Sequence, residues 1–243
     1  MKVNYIFMVF DTLLEYHIDK ALESFNAQDK EKINTFTLYN NSTTFKTTDL
    51  LKKINFHNIE CIDSNLPSDK KMVSDINYQL RKITGADIYF LHKADFYIPS
   101  NLLANSIKIL SNSNPSFLNF GKFDMREDIR GVKIDELNLL STNSFKEICN
   151  LDEAINKAEG LSLKHRLIGY QGHDGSMHAY NEKGRKALDF KNFIHPSDWQ
   201  VNVNRGINMI KGVDNAYVYH MWHDIGKRSD GGRLGKNLIG HRF

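Results

Sequence analysis

The chain has 243 residues, 41% hydrophobic, 25% charged and 11% aromatic, with 4 prolines and 15 glycines; this is a globular composition long enough to bury a sizeable core, and it excludes collagen-like and wholly disordered chains. Thirty-two basic against 29 acidic residues give a net charge of +3, too balanced to imply a nucleic-acid partner except where charges cluster. Cys61 and Cys149 stand far apart with no Cys-x-x-Cys pair, so no disulfide scaffold or cysteine zinc site is encoded and a reducing, cytoplasmic setting is expected.

The continuous apolar run Asn4 to Phe10 predicts a buried, parallel strand and is too short for a signal segment or a membrane span. Leu14, Ile18, Leu22 and Phe25 then recur at helical spacing, predicting a helix that ends near Asn26. A second strand is expected over Ile33 to Tyr39, closed by a turn at Asn40 to Thr43, then a short helix from Thr48 to Ile54 and a third strand from Asn58 to Ile62. Met72, Ile76, Leu80 and Ile83 form another helical stripe, and Ala86 to Leu91 reads as a fourth strand running into His92-Lys-Ala-Asp95. Strands alternating with helices indicate a parallel sheet covered by helices, with ligands held at the strands' carboxyl ends.

Beyond this, Ser100 is the expected N-cap of a helix over Asn101 to Leu110, and Phe117 to Phe123 the next strand. The stretch Asp124 to Ser144 has no clean period and reads as loop or short helix, whereas Leu151 to Ala158 reads as helix. Lys227 to Phe243 is basic and glycine-punctuated, without an apolar stripe. A domain over residues 1–225 followed by a tail or lid over 226–243 is therefore expected.

Gly169-Tyr-Gln-Gly-His-Asp-Gly175 is a tight glycine-rich turn presenting His173 and Asp174, and a carboxylate so placed can take a proton from an attacking hydroxyl. Tyr217-Val-Tyr-His-Met-Trp-His223 carries two histidines three apart, which on a strand face opposite ways, so at most one reaches a common site; His223, at the end of the run, is the more reachable metal ligand. The remaining histidines form no zinc-protease spacing, and Gly231-Gly-Arg-Leu-Gly-Lys-Asn237 is one residue short of a P-loop with no Ser or Thr after Lys236.

Taken in order, these features resemble the GT-A nucleotide-sugar glycosyltransferases, near glycosyltransferase family 2 and the galactosyl- and N-acetylgalactosaminyl-transferase branches. The likeness covers most of the chain. Tyr39-Asn40-Asn41-Ser42 stands where that family has Asp-Asp-Gly-Ser, so its uridine-contacting acid is absent there. Ile76-Asn77-Tyr-Gln-Leu80 is similar to the family's Asn-containing helix, and Tyr89-Phe-Leu-His-Lys93-Ala-Asp95 to its Asp-x-Asp element, with Lys93 in the first Asp's place. Gly172-His173-Asp174 looks like its Gly-Gly-Glu-Asp turn, and His220-Met-Trp-His223 like its closing His-x-Trp-His.

The resemblance implies an α/β fold of GT-A, Rossmann-like type, a mostly parallel sheet flanked by helices, and an inverting transfer of a hexose from a nucleotide-diphosphate sugar, foremost a UDP-sugar, to an acceptor hydroxyl of a glycan, protein or small molecule. Asp174 is the expected base. Phe10, Asp11, Thr12, Asn40 and Asn77 would hold the nucleoside end of the donor, and Lys93, Asp95, His173, Trp222 and Arg228 its diphosphate and sugar, with Trp199 a further stacking surface. Asp95 and His223 would hold Mn²⁺ or Mg²⁺. Two other readings share the fold: transfer to a hydroxylated base in DNA guided by the basic tail, and a binding protein that has lost turnover.

Overall fold

A computed structural model describes residues 1–11, 13–66, 78–112, 116–125, 167–172, 177–187, 209–211 and 217–221. In chain order these give β1 (Val3–Phe10), α1 (Glu15–Asn26), β2 (Thr35–Asn41), α2 (Thr47–Lys53), β3 (Ile59–Asp63), β4 (Ile88–Lys93), β5 (Phe96–Tyr97) and α3 (Leu102–Leu110). There follow β6 (Phe117–Asn119), β7 (Gly121–Met125), β8 (Leu167–Gly172), β9 (His178–Asn181), α4 (Glu182–Ala187), β10 (Met209–Lys211) and β11 (Tyr217–His220). Residues 78–81 are helical. The predicted stripe over 72–77, the helix from Leu151 and the tail after Gly226 lie outside the described residues.

The main sheet has the order β10-β6-β9-β4-β1-β2-β3. Its pairings are parallel except that β9 runs antiparallel to both β4 and β6. All eight residues of β1 are buried, as the unbroken apolar run requires of a strand covered on both faces. On one face Tyr5, Phe36 and Phe90 stack, with Tyr5 lying 5.7 Å from Phe36 and 5.2 Å from Phe90. The α1 stripe of Ile18, Ala21, Leu22 and Phe25 closes over them. A polar pair is buried between β1 and β2, where the Thr37 hydroxyl donates to Asn4 Oδ1 at 2.9 Å. No helix among the described residues is long and apolar enough to cross a membrane.

Several local expectations change: Gly169–Gly172, expected in a glycine-rich turn, is the end of β8, and Asp124–Met125, expected as loop or short helix, is the end of β7. β2 continues through Asn41 because Asn40 and Asn41 still pair with Val9 and Phe10; their side chains fasten the following turn instead of forming it. The expected strand from Phe117 to Phe123 is two strands, β6 in the main sheet and β7 in a second sheet of order β5-β11-β7-β8. The chain changes sheets at the buried Phe120, a step that an apolar run cannot reveal.

Ser100 does not cap α3: its N-cap is Asn101, with no side-chain cap bond. Gln28, just past the end of α1, serves instead. Its Oε1 accepts the Leu103 amide at 3.1 Å, and its Nε2 donates to the carbonyls of Pro99 at 2.8 Å and Ser24 at 2.9 Å. One buried amide thus satisfies an orphan N–H of α3 and ties it to α1. Gln28→Ala should therefore lower unfolding free energy by about 2 kcal/mol, since it leaves buried backbone groups unpaired. Urea denaturation checks this; a change below about 0.5 kcal/mol would contradict the role.

Candidate functional site

Strands β1, β2 and β3 are laid down in one direction, and β4 then adds on the other side of β1. The chain reverses between β1 and β4, and in open α/β sheets the crevice outside the carboxyl ends at such a reversal is where ligands bind. Register fixes what stands there. Phe10 pairs with Asn41, Asn40 with Asp63, and Met8 with Lys93, so Asp11, Asn40, Asp63 and Lys93 share one edge of the sheet.

Asp11 is wrapped by the turn after β2. Its Oδ1 accepts the Ser42 hydroxyl at 2.7 Å, the Thr43 amide at 2.7 Å and the Thr44 amide at 3.1 Å. Partial burial works to raise its pKa, but these bonds from Ser42, Thr43 and Thr44 together outweigh it and hold the carboxyl below its ordinary value. Asn40 donates through Nδ2 to the Phe45 carbonyl at 2.8 Å and to Thr47 Oγ1 at 3.0 Å, and the Thr47 hydroxyl donates to Asp63 Oδ1. Phe10 is 7% exposed and offers an apolar floor.

On the β4 side, Asp95 is buried, 3% exposed. Its Oδ2 lies 3.3 Å from His220 Nε2, and its carbonyl accepts the Met221 amide at 2.8 Å, so β11 is tied directly to the turn that follows β4. His92 is fully buried beneath this turn. Its Nε2 meets the Phe96 carbonyl at 2.9 Å and its Nδ1 meets the Tyr5 hydroxyl. A carbonyl only accepts, so Nε2 carries the proton and Nδ1 accepts from Tyr5. Lys93 lies on the strand face opposite His92; its amide donates to Met177 Sδ at 3.3 Å, and its ammonium makes no ion pair among the described residues.

Of the sequence-predicted residues, Phe10, Asp11, Asn40, Lys93 and Asp95 occupy this edge. Thr12, Asn77, His173, Asp174, Trp222, His223 and Arg228 lie outside the described residues. The histidine that stands beside Asp95 is His220, which reasoning from strand alternation passed over in favour of His223. Asp63, Thr47 and the turn Ser42 to Thr44 were also missed. Asp63 had a usable signal, a charged residue at the carboxyl end of a predicted strand, the same signal that singled out Asp95.

Asp95 and His220 offer an oxygen and a nitrogen donor side by side, a set that suits Mn²⁺ better than the all-oxygen shell Mg²⁺ favours. They would serve as two ligands of such an ion. No group of three or more His, Cys, Asp or Glu residues that could hold a metal occurs among the described residues.

No protein-family model matches the sequence, and no curated protein does. Among solved structures, the chain is similar to a mannosyltransferase from Pyrobaculum calidifontis in complex with GDP-Man and Mn²⁺, with a TM-score of 0.53, 14% identity and 90% of this chain covered. The chain has the GT-A fold. It spans 56% of that mannosyltransferase. A glucosyl-3-phosphoglycerate synthase from Mycobacterium tuberculosis in complex with Mn²⁺, UDP and phosphoglyceric acid also matches, with a TM-score of 0.47 and 11% identity over 98% of this chain and 76% of that one.

The buried histidine generates a pH prediction. Burial pushes the His92 pKa from 6.5 down to about 4, against smaller opposing effects from the Phe96 carbonyl and the Asp95 charge. Between these two values the unfolded chain binds a proton that the folded chain does not, so stability is lost as pH falls from about 6.5 to about 4, by on the order of 3 kcal/mol. Urea denaturation at pH 7, 5.5 and 4.5 should show a shallower dependence in His92→Gln than in the wild type. Parallel slopes would contradict it.

Proposed function

We propose that the chain is an inverting glycosyltransferase that moves a hexose from a nucleotide-diphosphate sugar to an acceptor hydroxyl. The observation that carries this reading is the convergence, at the β1/β4 reversal, of Asp11, Asn40, Lys93 and the buried Asp95 held against His220. A site that splits a glycosyl diphosphate must stabilise the charge growing on the leaving group. Lys93 supplies one fixed cation for it. Asp95 and His220 would hold a divalent ion, which when bound supplies Lewis-acid stabilisation of the departing diphosphate.

Asp174 is the proposed base. β9 enters the sheet with His178 opposite Leu91, at the carboxyl end of β4, and Met177 touches the Lys93 amide. Asp174 is three residues upstream of Met177, a chain length that spans at most about 11 Å, and this short separation supports the assignment. Inversion follows if it takes the acceptor's proton on the sugar face opposite the diphosphate. Trp222 and Arg228, two and eight residues past β11, would complete the donor site, His223 would be a further metal ligand, and residues 226–243 would form a lid that excludes water.

The test is turnover of a panel of nucleotide sugars, with and without Mn²⁺, by wild type and two variants. Asp174→Asn should lower turnover by about 10²-fold or more at unchanged donor affinity, because only the base is lost. Asp95→Ala should weaken donor binding. Wild-type turnover in Asp174→Asn would overturn the base assignment, and inactivity of the wild type on every donor would overturn the reading.

A further inference from the structure

The amide and carboxylate side chains at the ends of β1, β2 and β3 are Asp11, Asn40, Asn41 and Asp63. Most of them serve the chain itself. Asp11 is closed around the turn from Ser42 to Thr44. Asn40 donates to Phe45 and Thr47 and accepts the Ser42 amide at 3.2 Å. Asn41 is bonded both ways to Leu66, accepting its amide at 3.0 Å and donating to its carbonyl at 3.3 Å.

Asp63 is different. It is exposed, and the only hydrogen bond its side chain makes among the described residues comes from Thr47. The Thr47 hydroxyl is itself oriented, because its oxygen accepts from Asn40 Nδ2 at 3.0 Å and its proton is left for Asp63. Asn40 and Asp63 are register partners on neighbouring strands, so the backbone sets the span that Thr47 bridges. The result is an exposed carboxylate fixed through one oxygen. β3 lies two strand spacings, about 10 Å, from β1, on the side away from Lys93 and Asp95. A nucleoside extending from a diphosphate at the β1/β4 crevice toward β2 and β3 would meet Asn40 and Asp63.

We propose that Asp63 reads the nucleobase of the donor and selects guanine, an inference that rests on the nucleotide-sugar reading above. An ionised carboxylate only accepts. Guanine offers it two parallel donors, N1–H and the N2 amine, the same two-point match that makes paired carboxylate bonds strong. Cytosine and adenine each set a ring-nitrogen acceptor beside their amine, which repels the second oxygen, and uracil flanks its one N–H with two carbonyls. The base so selected replaces the uridine that the family resemblance implies.

The test is calorimetric titration of the full chain and of Asp63→Asn with GDP, UDP, CDP and ADP. The asparagine keeps an acceptor for Thr47, and thermal melting of both proteins verifies that the variant is folded. Wild type should bind GDP about 10-fold or more tightly than the other three, and Asp63→Asn should lose that preference while its UDP affinity moves less than about 2-fold. A GDP preference that survives in Asp63→Asn, or a wild-type preference for another base, overturns the inference and leaves the nucleotide-sugar reading standing. Failure of all four nucleotides to bind the wild type overturns both.

Discussion

Strand β1 has strands on both edges and packed layers on both faces, and each of its eight residues is buried. Unpaired polar groups cannot be kept inside such a strand, and its two polar side chains, Asn4 and Tyr5, are bonded to Thr37 and His92. Chemistry is therefore confined to the point where the strand ends. Because β2, β3 and β4 run parallel to β1 in tight register, their ends fall at the same level, and short polar extensions of separate strands become one rim. The site is a by-product of burying the centre of the sheet.

The two halves of this rim are built differently. On the β2/β3 side, side chains act through side chains: Asn40 orients Thr47, and Thr47 orients Asp63. On the β4 side, the turn after the strand is held from beneath by His92, which joins β1 through Tyr5 to the start of β5. His92 thus fastens the residue that follows Asp95, through the Phe96 carbonyl. Its neutrality depends on burial, so this support belongs to the packed core and is as stable as the core is.

Much of this was legible from residue order. The apolar run of β1, the stripe of α1 and the polar residues following β4 each follow from periodicity and from what a buried strand permits, and with the family resemblance they identified the fold and the edge of the sheet where Asp11, Asn40, Lys93 and Asp95 stand. Pairing across long sequence distances was not legible. Nothing near Asp95 in the chain points to His220, 125 residues later, because their approach depends on β11 pairing with β5. Gln28 was invisible for the same reason: its partners, Pro99 and Leu103, reach it only after α3 has packed. The split between β6 and β7 escaped because consecutive strands of similar composition can belong to different sheets.

The central claim is that this carboxyl rim binds a nucleoside diphosphate, and backbone amide chemical-shift mapping during titration with GDP in the presence of Mg²⁺ tests it most directly. The account expects the largest shifts at Thr43, Thr44, Ser64 and Ala94, whose amides are anchored on or beside Asp11, Asn40 and Met8 at this edge. Shifts centred instead on Lys2, Asn34 and Asp87 at the opposite end of the same strands, or no shifts at all, would contradict it.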